Sequence, residues 1–187
     1  GVASFVDLEV WPVGIHYISA DYIGTGAYVA GSLADDSGNG NAGTIYGATP
    51  VDGVSGKALS FDGVNDYVYC APPAVTSDGY SVSFWVSESR NDYASRICLC
   101  WGDGYQQNGV YFYEVEAGAS VYDIWCNWAG GYVIKAGFTA SASLQHIVYT
   151  YVTSTKEYKL YSNGSLLRSG TSTSPVVPPT NKLYLGK

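Results

Sequence analysis

The clearest pattern in the chain is a two-residue alternation of apolar and polar side chains, repeated in short runs. Between Gly79 and Val86, for example, Val82, Phe84 and Val86 alternate with two serines and a tryptophan. This alternation predicts a β-strand with one face in an apolar core. No stretch has sustained helical periodicity, so the sequence predicts an all-β protein.

The same pattern, interrupted by turn residues, predicts strands along the whole chain. They are expected at residues 1–11, 26–30, 57–61, 67–69, 79–86, 96–101, 109–116, 120–127, 134–138, 144–152, 158–161, 166–168 and 182–187. Asn163-Gly164 separates two of these runs and is typical of a type I′ hairpin turn, in which both residues have positive φ. The Ser-, Thr- and Pro-rich residues 169–180 are expected to form a surface loop.

Several stretches resemble the laminin G-like family of the concanavalin A-like β-sandwich superfamily. The resemblance runs from about Ala34 to the last residue and is carried by DDSGNGNAG, GKALSFDGVNDYV, YSVSFWV, LQHIVYTYV and KLYSNGSLL. It implies a jelly-roll sandwich of two antiparallel sheets over residues 27–187, an architecture that many short strands also favour. It does not imply one function, because structural subunits, lectins and glucanases share this fold.

Residues 1–26 are expected to form a displaced N-terminal strand and a linker. The stretch from Phe5 to Trp11 resembles the strand that closes the sandwich in the family, whereas this chain ends after a match to the penultimate strand. Two arrangements are open: the strand completes a neighbouring subunit by donor-strand complementation, or it folds back within its own chain as a circular permutation. In the first, each copy gives and receives a strand, so a homopolymer results. The donor residues would be Phe5, Val6, Leu8, Val10 and Trp11.

Length and composition narrow the class of protein. The chain has 187 residues, of which 47% are hydrophobic and 13% charged, with a net charge of -7. One domain is expected, and nucleic acid is not an expected partner because binding phosphates needs a Lys/Arg surface. No apolar run is long enough to span a bilayer. Methionine is absent even at the start, so we expect a processed chain that is secreted or held at the cell surface.

The four cysteines predict disulfide bonds, since the sequence has no CxxC pair and no Cys/His cluster. Buried free thiols are the alternative. Cys98 and Cys100 would lie on the same face of one strand, so we expect one of them to pair with a cysteine on a distant strand. The candidate disulfide residues are Cys70, Cys98, Cys100 and Cys126.

Catalysis is not expected. Glu114 and Glu116 would lie about 7 Å apart on one strand face, a spacing compatible with a glycosidase pair. Glucanases of the resembling superfamily, however, carry E-x-D-x-x-E on one strand, and residues 114–118 lack this pattern. His146 has no serine or cysteine nucleophile on a glycine elbow, so we expect a packed, hydrogen-bonded histidine.

Two kinds of binding residue can be named. Aromatic rings in or beside the turns could stack on sugars, as in lectin-like relatives, or could simply cover the sandwich; they are Trp101, Tyr105, Trp125, Trp128 and Tyr132. Oxygen-bearing side chains suit a structural calcium ion, the one cofactor considered, or form Asx turns; they are Asp7, Asp36, Asn39, Asn41, Asp62 and Asp66. Asn163-Gly164-Ser165 is an N-glycosylation sequon on the expected hairpin tip.

These observations predict a non-catalytic extracellular subunit that assembles with copies of itself into a surface filament. The alternative is a secreted carbohydrate-binding or adhesion module with glycans as partners. A glycoside hydrolase is the third possibility.

Overall fold

The computed structural model describes residues 2–4, 31–33, 35, 39–54, 57–71, 79–87, 96–101, 108–114, 121–128, 131–139, 143–172 and 183–186. For the strands within residues 2–4 and 96–139, the description covers the backbone and its pairing.

The described residues form fifteen strands and no helix. The strands are β1 Val2–Ser4, β2 Gly31–Leu33, β3 Gly43–Tyr46, β4 Thr49–Asp52, β5 Lys57–Ser60, β6 Tyr67–Cys70, β7 Gly79–Ser87, β8 Arg96–Trp101, β9 Asn108–Glu114, β10 Val121–Trp128, β11 Gly131–Thr139, β12 Gln145–Val152, β13 Glu157–Ser162, β14 Ser165–Thr171 and β15 Leu183–Leu185.

The strands pair into two antiparallel sheets. One sheet has seven strands in the order β14-β13-β12-β7-β1-β5-β4, and the other has eight in the order β11-β10-β9-β8-β15-β6-β3-β2. Strands that are distant in sequence therefore become neighbours, as in a jelly roll. The prediction of an all-β sandwich of two antiparallel sheets is confirmed.

The core lies between the two sheets and follows the alternation seen in the sequence. In the seven-stranded sheet, Val82, Phe84 and Val86 are buried and pair across β12 with residues that include the buried Ile147. In the eight-stranded sheet, Val68 is fully buried between its register partners Ile45 and Leu185. Burial of each such side chain stabilises the fold by roughly 1.5–3 kcal/mol, so the alternating positions fix which face of each strand turns inward.

The hairpin between β13 and β14 forms as predicted. Ser162 pairs with Ser165, which leaves Asn163 and Gly164 as a two-residue loop. Both have positive φ, 48° and 79°, as a type I′ turn requires. Gly63, which follows Asp62, also turns the chain with a positive φ of 72°.

The N-terminal strand lies within the sandwich of its own chain. β1 pairs with β5 on one side and with β7 on the other, so it occupies the middle of the seven-stranded sheet. The predicted donor residues from Phe5 to Trp11 lie outside the described residues. The division of the chain at residue 26 therefore stays a prediction.

Two strand predictions need correction. Residues 169–171 belong to β14, where they pair with β13, and not to a surface loop. Strands β2, β3 and β4 arise in the turn-rich stretch after residue 30, where the sequence predicts none. Pairing with a neighbouring strand decides both cases, because β-structure depends on its neighbours more than on local preference. The predicted strand at 26–30 lies outside the described residues.

The register of the eight-stranded sheet separates the cysteines. Cys70 lies on β6, Cys98 and Cys100 on β8, and Cys126 on β10, and one complete strand intervenes in each case. Strands two steps apart are separated by about 9.5 Å, beyond the roughly 7 Å that a disulfide allows between Cα atoms. Cys70 carries a free thiol. The disulfide between distant strands stays a prediction, and this register favours the alternative of free thiols within one chain.

Candidate functional site

Four tyrosines lie on the outward face of the eight-stranded sheet, on three neighbouring strands. In β6, Tyr67 and Tyr69 flank the buried Val68, and in β15 Tyr184 stands between two buried leucines. Alternation turns these tyrosines away from the core. Tyr46 of β3 is the register partner of Tyr67, and Tyr184 is that of Tyr69. We call Tyr46, Tyr67, Tyr69 and Tyr184 the tyrosine face.

The rings of the tyrosine face are packed against one another. Tyr46 stacks on Tyr67 with ring centroids 4.7 Å apart and planes 16° from parallel, and it stacks on Tyr69 at 5.7 Å and 21°. Tyr184 is tilted against Tyr67 at 6.0 Å and against Tyr69 at 6.2 Å. Stacked and tilted ring pairs at such distances are favourable and limit ring motion.

Exposure varies across the tyrosine face. Tyr46 is 38% exposed, Tyr67 and Tyr69 are half-buried, and Tyr184 is only 7% exposed. A hydrogen bond with the Tyr69 hydroxyl raises the pKa of Tyr46 above its ordinary value, with smaller contributions from desolvation and the neighbouring tyrosines. The Tyr46 phenol is thus neutral at physiological pH. The face offers an aromatic surface with fixed hydroxyl groups.

The predicted sugar-binding tryptophans lie on other strands of the same sheet. Trp101 ends β8 opposite Asn108, and Trp128 ends β10 opposite Gly131. Both strand ends adjoin the start of β9, so the backbone brings these two positions to one end of the sheet. Trp125 lies within β10, opposite Tyr111 and Lys135. Tyr105 lies outside the described residues, and a sugar-binding role for these positions stays a prediction.

A second group of polar and aromatic side chains occupies the outward face of the seven-stranded sheet. His146 of β12 and Trp85 of β7 are register partners, and their rings stack with centroids 4.9 Å apart and planes 22° from parallel. The Nε2 atom of His146 is 2.7 Å from the Ser83 hydroxyl. Burial lowers the pKa of His146 below its ordinary value. The histidine is packed and hydrogen-bonded, as predicted.

The Ser83–His146 pair has the distance of a nucleophile and its base, yet its surroundings are structural. Ser83 is 3% exposed and lies within a central strand, so its hydroxyl has no room for an acyl group. The residues beside His146, Trp85 on β7 and Asn163 in the β13–β14 turn, carry no carboxylate to orient the imidazole. A serine hydrolase needs such an orienting group and an accessible nucleophile.

The predicted calcium residues in the described loops serve as turn acceptors. One carboxylate oxygen of Asp62 accepts hydrogen bonds from the backbone N–H groups of Val64, Asn65 and Asp66. A carboxylate oxygen of Asp66 accepts one from the N–H of Asp62, and Asp35 accepts one from Asn41. The bond from Val64 closes an Asx turn, and the other bonds hold the same two loops together.

In the part of the chain that the structure describes, no three His, Cys, Asp or Glu residues are grouped to hold a metal ion. Asn39 lies in an exposed bend, while Asp7 and Asp36 lie outside that part. Calcium binding stays a prediction.

The remaining predicted sites are resolved in part. Glu114 ends β9 opposite Tyr122, and Glu116 lies outside the described residues. Asn163 is exposed at the hairpin tip, and its side-chain oxygen accepts a hydrogen bond from the backbone N–H of His146 at 2.8 Å. The sequon therefore also holds the hairpin against β12. Its glycosylation stays a prediction.

The tyrosine face was not among the sequence-based predictions. Its members are separated by up to 138 positions in the chain, since they run from Tyr46 to Tyr184. The signal that was available is the Tyr-Val-Tyr alternation of β6, which marks an outward aromatic pair. The pairing of β3 and β15 with β6 is a tertiary property and has no local signature.

No helix among the described residues has the length and apolarity that a membrane span would need.

Three solved structures share the fold. Domain 4 of an extracellular arabinanase from Geobacillus stearothermophilus, solved with arabinotriose, has 20% identity and a TM-score of 0.56, over 81% of this chain and 76% of that domain. The binding domain of botulinum neurotoxin serotype D has 14% identity and a TM-score of 0.65, over 89% of this chain. The receptor-binding domain of botulinum neurotoxin type G has 15% identity and a TM-score of 0.62. This chain spans 42% and 41% of the two neurotoxin domains.

A comparison with curated protein sequences finds no match. A family model described as the concanavalin A-like lectin/glucanases superfamily, of laminin G type, matches residues 62–187. This match covers the strands from β6 to β15, including most of both sheets. The chain belongs to the concanavalin A-like lectin/glucanase superfamily.

Proposed function

We propose that this chain is a non-catalytic carbohydrate-binding domain of an extracellular protein, and that it binds sugar on the tyrosine face. The observation that carries the proposal is the stacked cluster of Tyr46, Tyr67 and Tyr69 on an outward sheet face, with Tyr46 the most exposed ring. On each of the three strands, the residues that alternate with these tyrosines are buried in the core, and they hold the strands in place beneath the cluster.

The chemistry of the tyrosine face suits a sugar. The faces of aromatic rings carry partial negative charge, so they attract the weakly positive C–H groups on one face of a pyranose or furanose ring. The hydroxyls of Tyr46 and Tyr69 can donate to or accept from sugar hydroxyls at the rim. The rings are already packed against one another, so little side-chain freedom is lost on binding.

The ligand class we expect is a neutral oligosaccharide. The chain has a net charge of -7, which disfavours the approach of sulfated or uronic acid polymers. Arabinotriose, the sugar in the arabinanase-domain complex, is a suitable first probe because that domain has the same fold. The extracellular setting is proposed on the same basis.

The test is binding of the full chain to a glycan array, followed by calorimetric titration with arabinotriose and with any sugar that the array identifies. Tyr46→Ala is expected to weaken binding about 3- to 10-fold, because an aromatic contact is worth about 0.5–1.5 kcal/mol. The ring is the most exposed of the face, so its removal is expected to leave the fold intact.

Tyr161→Ala is the matched control, because Tyr161 is a half-buried tyrosine on β13 of the other sheet. It is expected to leave binding unchanged. An array without any binding would refute the proposed function, and equal losses in the two variants would refute the tyrosine face as its site. Thermal unfolding of each variant separates lost binding from lost folding.

Self-association is a second candidate function, and one observation favours it. The N-terminal strand β1 is hydrogen-bonded on both sides in the middle of a sheet, yet residues 5–30 separate it from the next described strand. A strand connected in this way can be contributed by a second copy. Assembly into a filament would be the extended form of such an exchange.

A further inference from the structure

In the seven-stranded sheet, the gap between β5 and β7 is filled by the three residues of β1, and we call this gap the slot. β5 and β7 are not paired with each other, and β1, from Val2 to Ser4, lies between them and bonds to both. The register sets Ala3 opposite Leu59 of β5 and Val86 of β7. Neither sheet neighbour of β1 is the next strand along the chain, so no tight hairpin ties β1 to β5 or β7 and it is held there by hydrogen bonds and packing.

An empty slot would be costly. The facing edges of β5 and β7 would lose their backbone partners in the centre of a sheet, where unpaired N–H and C=O groups are expensive. Leu59 and Val86 are 3% and 6% exposed, and they line the slot on the core side. On the outward side, Ala58 is buried next to the slot. The folded sheet is therefore stable only when a strand occupies the slot.

We propose that the slot accepts residues 2–4 of a second copy of this chain, so that subunits exchange β1. The hydrogen bonds and packing made by β1 are the same whether it comes from its own chain or from another, so protein concentration decides between the two. The proposal deepens the self-association candidate and is independent of carbohydrate binding.

The connection is long enough for exchange. At about 3.3–3.6 Å per residue, residues 5–30 can span up to about 90 Å, whereas a compact domain of this length is about 40 Å across. A tethered strand competes with free copies at an effective concentration of up to about millimolar. Each subunit would give one strand and receive one, a head-to-tail contact that forms closed rings or open chains.

A cysteine pair placed across the slot tests the proposal. Val2 and Ser60 are register partners, so Val2→Cys and Ser60→Cys bring two thiols into range when β1 fills the slot. The double variant is oxidised at concentrations from about 10 µM to about 1 mM, a range that rises to the effective concentration of the tether. Exchange predicts covalent dimers and a ladder of higher oligomers, with a share that rises with concentration.

Two controls show whether a covalent link forms specifically across the slot. Thr49 pairs with the other side of Ser60, one strand further from β1, so Val2→Cys with Thr49→Cys is expected to give no link. The unaltered chain, treated in the same way, reports any linkage through its native cysteines. Peptide mapping must locate the intermolecular bond at positions 2 and 60.

The outcomes separate the alternatives. Monomers linked only between their own positions 2 and 60, at every concentration, would overturn the exchange and leave β1 as a strand of its own chain. Absence of any 2–60 link would also overturn it, because β1 would then not occupy the slot. Neither result bears on the glycan array, so this inference and carbohydrate binding can fail separately.

Discussion

His146 and its neighbours show how packing decides what a residue can do. The imidazole stacks on Trp85 and shares a hydrogen bond with Ser83, and burial disfavours its charged form. A histidine held in this way is a poor proton carrier, but its protonation state is coupled to the stability of the fold.

We expect the free energy of unfolding to fall as pH is lowered from about 6.5. The unfolded histidine takes up a proton near its ordinary pKa, whereas the folded one, with its lowered pKa, stays neutral until a lower pH. In that interval the unfolded state binds more protons, so acid favours it; below the folded pKa the loss from this group is complete. Urea unfolding between pH 8 and pH 5 measures the effect.

The matched variant is His146→Gln, which keeps a polar side chain near Ser83 and removes the titration. Its unfolding free energy is expected to change less between pH 8 and pH 5 than that of the parent chain. His16 is common to both proteins, so the difference isolates His146. Identical pH dependence in the two proteins would contradict this explanation.

The residue scale also shows which site residues a sequence can reveal. His146 was predicted correctly because the sequence has no serine or cysteine nucleophile on a glycine elbow to accompany it. Asp62 and Asp66 carry side chains that suit both calcium and turns, and only the structure shows that they accept backbone hydrogen bonds within a turn. Residue type alone cannot choose between these roles.

At the scale of the element, the β13–β14 hairpin depends on Asn163 in two ways. Its backbone has a φ of 48°, which asparagine tolerates better than most residues. Its side-chain oxygen accepts a hydrogen bond from the N–H of His146, and its own N–H donates to the His146 carbonyl. The turn and the attachment of the hairpin to β12 therefore rest on one residue.

Two substitutions separate these contributions. Asn163→Gly keeps the turn conformation but loses the side-chain bond, and we expect a loss of about 0.5–1.5 kcal/mol. Asn163→Ala loses the bond and adds the strain of a positive φ, so we expect a further loss of roughly 1 kcal/mol. Chemical denaturation measures both, with the exposed Ser165→Ala as control. Equal stability of the Gly and Ala variants would show that the turn conformation is not strained by a side chain.

The elements that the sequence predicts best are those with strong alternation. The runs at β7 and β12 each carry at least three apolar residues on one face, and their predicted bounds agree with the structure to within one residue. β2 and β4, by contrast, are three and four residues long, and glycine, threonine and proline in them give no clear period. Such strands form because a neighbouring strand supplies hydrogen bonds, and this pairing cannot be predicted from the local sequence.

At the scale of the whole molecule, the fold could be predicted but the order of strands within the sheets could not. The family resemblance and the alternation together gave two antiparallel sheets. The tyrosine face, the slot for β1 and the spacing of the cysteines all depend on which strands are neighbours. Each of these three features joins residues far apart in sequence, such as Tyr46 with Tyr184, and so each required the structure.

The strand order leads to a last prediction about the cysteines. Cys70, Cys98 and Cys126 lie on alternate strands of one sheet, beyond disulfide range of one another, so reduction should remove no cross-link from the folded chain. Burial raises the pKa of the Cys70 thiol to about 11, which keeps it protonated and slow to react until the chain unfolds. We therefore expect four alkylatable thiols in unreduced, denatured protein, and a melting temperature that does not change with reductant. A disulfide would stabilise the fold by about 2–4 kcal/mol, so a reductant-induced decrease of several degrees, or fewer than four thiols, would contradict this strand order.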